Sequence, residues 1–258
     1  MCCRARHDYG AAGITHAPTQ NVRQSSAPTM ALLAVWAAIW ILIHRLISGG
    51  PLRSCLVASI GERIYRICFA LLSIACLAGL ANAYANVKPI GSPAAPLLVA
   101  VVAFIQLVAT ALVVAGLSTR NPTTAGMAEA VHEPDIVHGM VRVTRHPFLC
   151  GMLLWSASHV LVRHDTSALI FFGSIGIVAA MGMWSIDRKH RLASGAAWRE
   201  FSRKTSWMPF LATATGRQRF VFGEIGLWRM AVAFTIWLIM LGLHPYFGSG
   251  LRLFQPTA

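Results

Sequence analysis

Six long uncharged runs alternate with charged segments along the chain: 24–44, 67–87, 89–119, 146–162, 166–186 and 230–251. A helix needs about 20 apolar residues to cross a bilayer. The pattern therefore predicts spans near 30–48, 66–86, 94–117, 147–163, 167–186 and 229–247. Pro89, Pro93 and Pro96 separate the second span from the third. Asp165 and Thr166 supply a helix cap between the fourth and fifth. No internal repeat is visible. The expected fold is all-α, a polytopic membrane helix bundle of about six transmembrane helices. Residues 1–29 are rich in small and polar residues and lack the apolar core of a signal peptide. They read as a disordered extension before a 30–247 transmembrane domain, with Met30 a possible true start. Residues 248–258 read as a short tail.

Composition supports this pattern. Of 258 residues, 56% are hydrophobic and only 12% charged, about half the charge of a soluble domain. The 22 Lys and Arg outnumber nine Asp and Glu. No nucleic-acid-binding motif accompanies that excess, so topology is its natural explanation. Six spans place both termini on one side, with Arg4, Arg6, Arg23, Lys88, Arg163 and Arg252. The loops around 45–66, 118–146 and 187–228 carry fifteen basic residues on the other. The positive-inside rule makes those loops cytoplasmic and the termini periplasmic, in a bacterial inner membrane. The six cysteines include no Cys-x-x-Cys and read as small hydrophobes.

Polar side chains inside apolar spans mark function. His44 ends the stripe Trp36-x3-Trp40-x3-His44, and His159 ends Gly151-x3-Trp155-x3-His159. The i, i+4, i+8 spacing puts each set on one helix face. Two such imidazoles can hold a haem iron axially, or each can bond a neighbouring carbonyl or hydroxyl. Depth argues against the pair. His44 lies near the cytoplasmic end of its helix, and His159 is about 18 Å above Pro147 by helical rise. A second constellation runs from Gly139 through Arg142 and Arg145 to His146-Pro147. Free amides at a helix start, with two guanidiniums, make an anion site for a haem propionate, a cofactor carboxylate or a lipid phosphate. Interfacial snorkelling is the alternative. His132 and His138 lie near Glu133 and Asp135 without a metal-site spacing, and His244-Pro245 reads as a helix stop.

The string Gly139-x-x-Arg142-x-Thr144-Arg145-His146-Pro147, then Gly151, Leu154-Trp155 and Ala157-Ser158-His159, resembles the NnrU family of membrane proteins. His44, Arg53, Gly61-Glu62-Arg63, Tyr65-Arg66, Asn121-Pro122, Asp187-Arg188-Lys189 and Ser206-Trp207-Met208-Pro209-Phe210 extend the likeness over roughly 30–245. The resemblance implies an association with nitric oxide and nitrite metabolism in denitrifying bacteria. The same domain occurs in 15-cis-zeta-carotene isomerase, a membrane enzyme with histidine-ligated haem b. By motif position it implies haem b here, with His44 and His159 as axial ligands and Arg142, Arg145 and His146 beside the cofactor. A haem-dependent isomerisation or redox reaction on a lipophilic substrate is then expected. Arg145-His146-Pro147 with Gly151, and Ala197-Trp198-Arg199-Glu200-Phe201 before Pro209, also resemble isoprenylcysteine carboxyl methyltransferases. That likeness implies S-adenosylmethionine as the alternative cofactor. The lone Asp187 departs from the paired acids of those enzymes.

Overall fold

The computed structural model describes residues 27–48, 50, 52–87 and 94–244. Among them the regular structure is helical. The first apolar run forms α1 (Ala27–Ile43), which continues as a π-helical turn over His44–Ser48. α2 (Leu52–Ile60) and α3 (Glu62–Ala85) follow, joined at Gly61, whose φ of 79° suits a residue without Cβ. α4 (Pro96–Ser118) and α6 (Pro147–Val162) both begin with proline, where the missing N–H costs no helix bond. A short α5 (Met140–Val143) precedes α6. α7 (Thr166–Ala193) is capped by Asp165, which accepts from the Ala168 amide at 3.0 Å. α8 (Gly195–Lys204), α9 (Leu211–Ala214) and α10 (Leu227–Leu243) complete the order.

All six expected spans coincide with helices. α1 with its π turn, α3, α4 and α7 are long and apolar enough to cross a membrane, while α6 and α10 are shorter apolar helices. Two boundaries differ from expectation. α1 starts at Ala27, so residues 27–29 are helical and not part of an extension. Residues 1–26 and the 248–258 tail lie outside the described residues. α7 runs to Ala193, past the expected 186, because Asp187 and His190 turn inward and leave the helix intact.

The helices pack in a row, α3 on α1, α1 on α7, α7 on α6, α6 on α4 and α4 on α10. Glycines set the closest approach. A Cβ on Gly116 would lie 2.4 Å from the Phe148 nitrogen, and one on Gly151 would lie 2.7 Å from the Ala109 oxygen. Small residues thus let the α4 and α6 backbones nearly touch, as membrane helices do where lipid offers no hydrophobic drive. Leu71, Ile74 and Leu97 project outward in keeping with a lipid surround. At the basic end the long loops are not loose. Ala130, Val131, Ile136, Val141, Trp198 and Phe201 form a core of their own, and His190 stacks on Trp198 while donating Nε2–H to the Pro122 carbonyl at 3.0 Å.

Candidate functional site

The two histidine stripes keep the local geometry that their spacing dictates. His159 Nδ1 lies 2.8 Å from the Trp155 carbonyl, and His44 Nδ1 lies 2.9 Å from that of Trp40. A carbonyl only accepts, so each Nδ1 carries the proton and each Nε2 keeps its lone pair. Gln106 Nε2 donates to Ser158 Oγ at 2.6 Å and to the Trp155 carbonyl at 3.2 Å, and so packs beside the His159 ring from α4. Phe172 stacks on the same ring, centroids 4.5 Å apart. His44 instead packs on Trp40 at 4.1 Å and against the edge of Phe69 at 5.3 Å.

The structure does not bring His44 and His159 together. α1 and α7, as first and fifth spans, run in the same direction, and Lys189 Nζ donates to the Ser48 carbonyl at 2.6 Å. His44 is therefore level with Ser185 on α7, whereas His159 is level with Phe172. The thirteen intervening residues correspond to about 20 Å of helical rise. His44 shares its depth with His146, which bonds Asp187 nearby on α7.

The cationic constellation forms a lock within the chain. Arg145 Nε reaches the Asp187 carboxylate at 3.1 and 3.2 Å, and a second guanidinium nitrogen closes on the same group. His146 Nε2 donates to Asp187 Oδ1 at 2.7 Å. Arg142 is paired bidentately with Glu224 at 2.7 and 3.0 Å, and the Gly139 amide joins the same carboxylate at 2.8 Å. Both guanidiniums are thus engaged by acids of this chain. The surrounding backbone is tied in as well. Arg145 N–H donates to the Ser206 carbonyl at 2.8 Å, and Thr144 Oγ1 to that of Trp207 at 2.8 Å. Burial pushes the His146 imidazole below its ordinary value despite the Asp187 bond. Arg142 and the Gly139 amide hold the Glu224 carboxyl below the usual range. His132 and His138 stay on the surface loops. No group of three or more His, Cys, Asp or Glu gathers as a metal site among the described residues.

The open space lies at the other end, around His159. A cavity of about 750 Å³ is walled by Tyr84 of α3, Gln106 of α4, Trp155 and His159 of α6, Phe172 of α7 and Trp237 of α10, with Arg163 and His244 also lining it. Pockets of this size, mainly apolar with few polar groups, suit a lipophilic small molecule. α10 closes the wall because Trp237 Nε1 donates to the Ala103 carbonyl at 2.8 Å. His244 follows the last turn of α10, with its ring 6.4 Å from that of His159 and the planes 10° apart. In the sequence, His244-Pro245 reads only as a helix stop. No local signal links residues 85 positions apart.

The family model described as NnrU protein matches residues 32–249. The chloroplastic 15-cis-zeta-carotene isomerase of Arabidopsis thaliana is 29% identical over 206 residues, 75% of this chain and 53% of that protein. The corresponding Zea mays protein is 32% identical over 105 residues, 38% of this chain and 28% of its own. The chain spans about half the length of the curated relatives or less. These matches do not extend to isoprenylcysteine carboxyl methyltransferases. No solved structure matches.

Proposed function

The chain belongs to the NnrU family, and from that premise we propose that it is a membrane haem b protein acting on a lipophilic small molecule by isomerisation or redox chemistry. The observation that carries this reading is the apolar cavity with His159 on its wall and the Nε2 lone pair uncommitted. The names of its relatives, isomerases of a carotene, agree with a cavity of that size and polarity.

The residues around His159 fit an iron-bound imidazole. Metal-ligating histidines commonly donate their other ring N–H to a carbonyl, which fixes tautomer and orientation. Trp155 does that here, and Phe172 stacks on the ring from α7. The haem, when bound, supplies a one-electron redox centre with a protein-tuned potential. Trp155, Phe172 and Trp237 exclude water and offer flat apolar contact to an extended unsaturated substrate.

The methyltransferase reading has no support in the geometry, since Arg145 and His146 are bonded to Asp187. An accessory role in nitrogen-oxide metabolism adds no residue to this site and rests on the family resemblance alone. By the charge count, the basic loop layer faces the cytoplasm of a bacterial cell and the cavity lies toward the opposite side. Quantifying extracted haem per purified chain tests the reading. A stoichiometry near one supports it. A chain free of haem that takes up no added hemin contradicts it.

A further inference from the structure

The segment between α8 and α10 turns apolar side chains outward. Trp207, Phe210, Phe220, Phe222 and, at the start of α10, Trp228 are all exposed. The phenylalanines gather, with ring centres 5.6 Å apart between Phe210 and Phe220 and 6.3 Å between Phe220 and Phe222. A contiguous exposed apolar patch marks a surface that a membrane or a partner covers.

Depth and charge choose between those occupants. The Trp207 carbonyl accepts from Thr144 Oγ1 at 2.8 Å and from Cys150 Sγ at 3.2 Å, and Cys150 Sγ lies 3.7 Å from Met183 Sδ. Trp207 is therefore level with the first turn of α6 and with Met183 of α7, one position before the exposed Trp184. The Phe210 N–H donates to the Val143 carbonyl at 2.8 Å, which ties the phenylalanine cluster to the same level. Trp184 stands about 27 Å of helical rise from the start of α7 at Thr166, close to the roughly 30 Å thickness of a hydrocarbon core. Arg188 lies over its ring at 5.5 Å, as Arg229 lies over that of Trp228 at 4.7 Å. Exposed tryptophans at that depth form the aromatic belt of a membrane boundary.

The charge beside the patch is basic. Between residues 199 and 223 the one acid is Glu200, and it pairs with Arg203 and Lys204 at 2.6 and 3.1 Å. Among the described residues no acid pairs with Arg217 or Arg219, both exposed. Arg217 Nη1 donates to the Arg203 carbonyl at 3.2 Å, and Arg219 immediately precedes Phe220. Aromatic side chains flanked by unpaired arginines suit the boundary between acyl chains and phosphates.

We propose that the 207–228 segment lies in the headgroup boundary of the leaflet on the basic side. Phe210, Phe220 and Phe222 enter the upper acyl region, and Arg217 and Arg219 meet the phosphates of anionic phospholipids. The contact fixes the height of the α6 start and of the loop layer at the membrane surface. It is independent of haem.

The test reconstitutes the purified full chain in vesicles of phosphatidylcholine with or without phosphatidylglycerol. The chain carries photoreactive p-benzoylphenylalanine in place of Phe222 or, as the control, of Glu129. Glu129 adjoins Ala130, which packs in the Trp198 core. His190 stacks on that tryptophan, about 9 Å beyond Trp184 by helical rise. After irradiation, mass spectrometry should find a phospholipid adduct at the Phe222 position and none at the Glu129 position. With both lipids present, phosphatidylglycerol should be enriched in the adduct roughly fivefold over its share of the bilayer. Combining Arg217→Gln with Arg219→Gln, or raising the salt concentration, should remove that enrichment. If the double variant does not accumulate, the salt series decides. A link from the Phe222 position to a second copy, or to another protein on irradiation in cell membranes, overturns the placement. So does the absence of a lipid adduct there, or equal labelling at the Glu129 position. Adducts in proportion to the bilayer composition overturn the anionic contact.

Discussion

His146 donates its Nε2 proton to Asp187 at 2.7 Å, from an imidazole with no solvent exposure to a carboxylate 41 positions away. Arg145 meets the same carboxylate, so one acid on α7 pairs with two adjacent residues at the start of α6. Asp187→Asn removes the charge opposite a mostly buried guanidinium. Breaking such a pair from one side costs about 3–5 kcal/mol. Unfolding of the detergent-solubilised protein should show a loss of that order. An effect below about 1 kcal/mol would mean that the cluster is a surface pair of the ordinary weak kind.

Helix contact gives a sharper contrast. Gly116→Ala forces a methyl onto the Phe148 backbone, which cannot yield as a side-chain tip does. About 1–3 kcal/mol should be lost, as for other overpacked sites. Gly173→Ala meets only Leu169 Cδ1 at 3.7 Å and should be neutral or slightly stabilising, because alanine favours the helix. Thermal denaturation of both variants measures the difference.

Acid should destabilise the loop layer in two steps. Burial favours the neutral His146 imidazole, so below pH 6.5 the unfolded chain binds more protons than the native one and stability falls. Glu224 is held below its ordinary 4.5 by Arg142 and the Gly139 amide. Its contribution is fully present above that value and lost as pH drops through the native pKa. In unfolding measured against pH, His146→Gln should flatten the upper step and Glu224→Gln the lower.

The helices were legible in the sequence because each needs one local property, a long uncharged stretch. α7 was cut short at Asp187 because a charge in sequence reads as a boundary, whereas here its partners Arg145 and His146 make an inward charge tolerable. His44 and His159 were visible as polar groups in apolar runs. Their difference in depth was legible from helical rise, and the register of α1 against α7, tied by Lys189 to the Ser48 carbonyl, agrees with it. The ion pairs of Arg145 and Arg142 were not legible, because the acids that meet them are 42 and 82 residues away in the chain. His244 was hidden by the proline that follows it.

Orientation has its own test. In a Gram-negative host, alkaline phosphatase fused after residue 258 should be active, and fused at residue 205 inactive. The fifteen-to-six distribution of basic residues sets this expectation. The reverse pattern would place the loop layer outside and the cavity toward the cytoplasm.

The most direct measurement is the visible spectrum of the purified full chain beside those of His159→Ala and His146→Ala. Wild type should show a b-type haem that is six-coordinate and low-spin. His159→Ala should lose that form or the haem itself. His146→Ala should keep the low-spin bands where it folds, because its ring is bonded to Asp187 at the basic end and lies about 20 Å from His159 by helical rise. Low-spin bands that survive in His159→Ala and vanish in His146→Ala, or a wild-type chain that takes up no haem, would contradict the assignment of the cavity as the cofactor site.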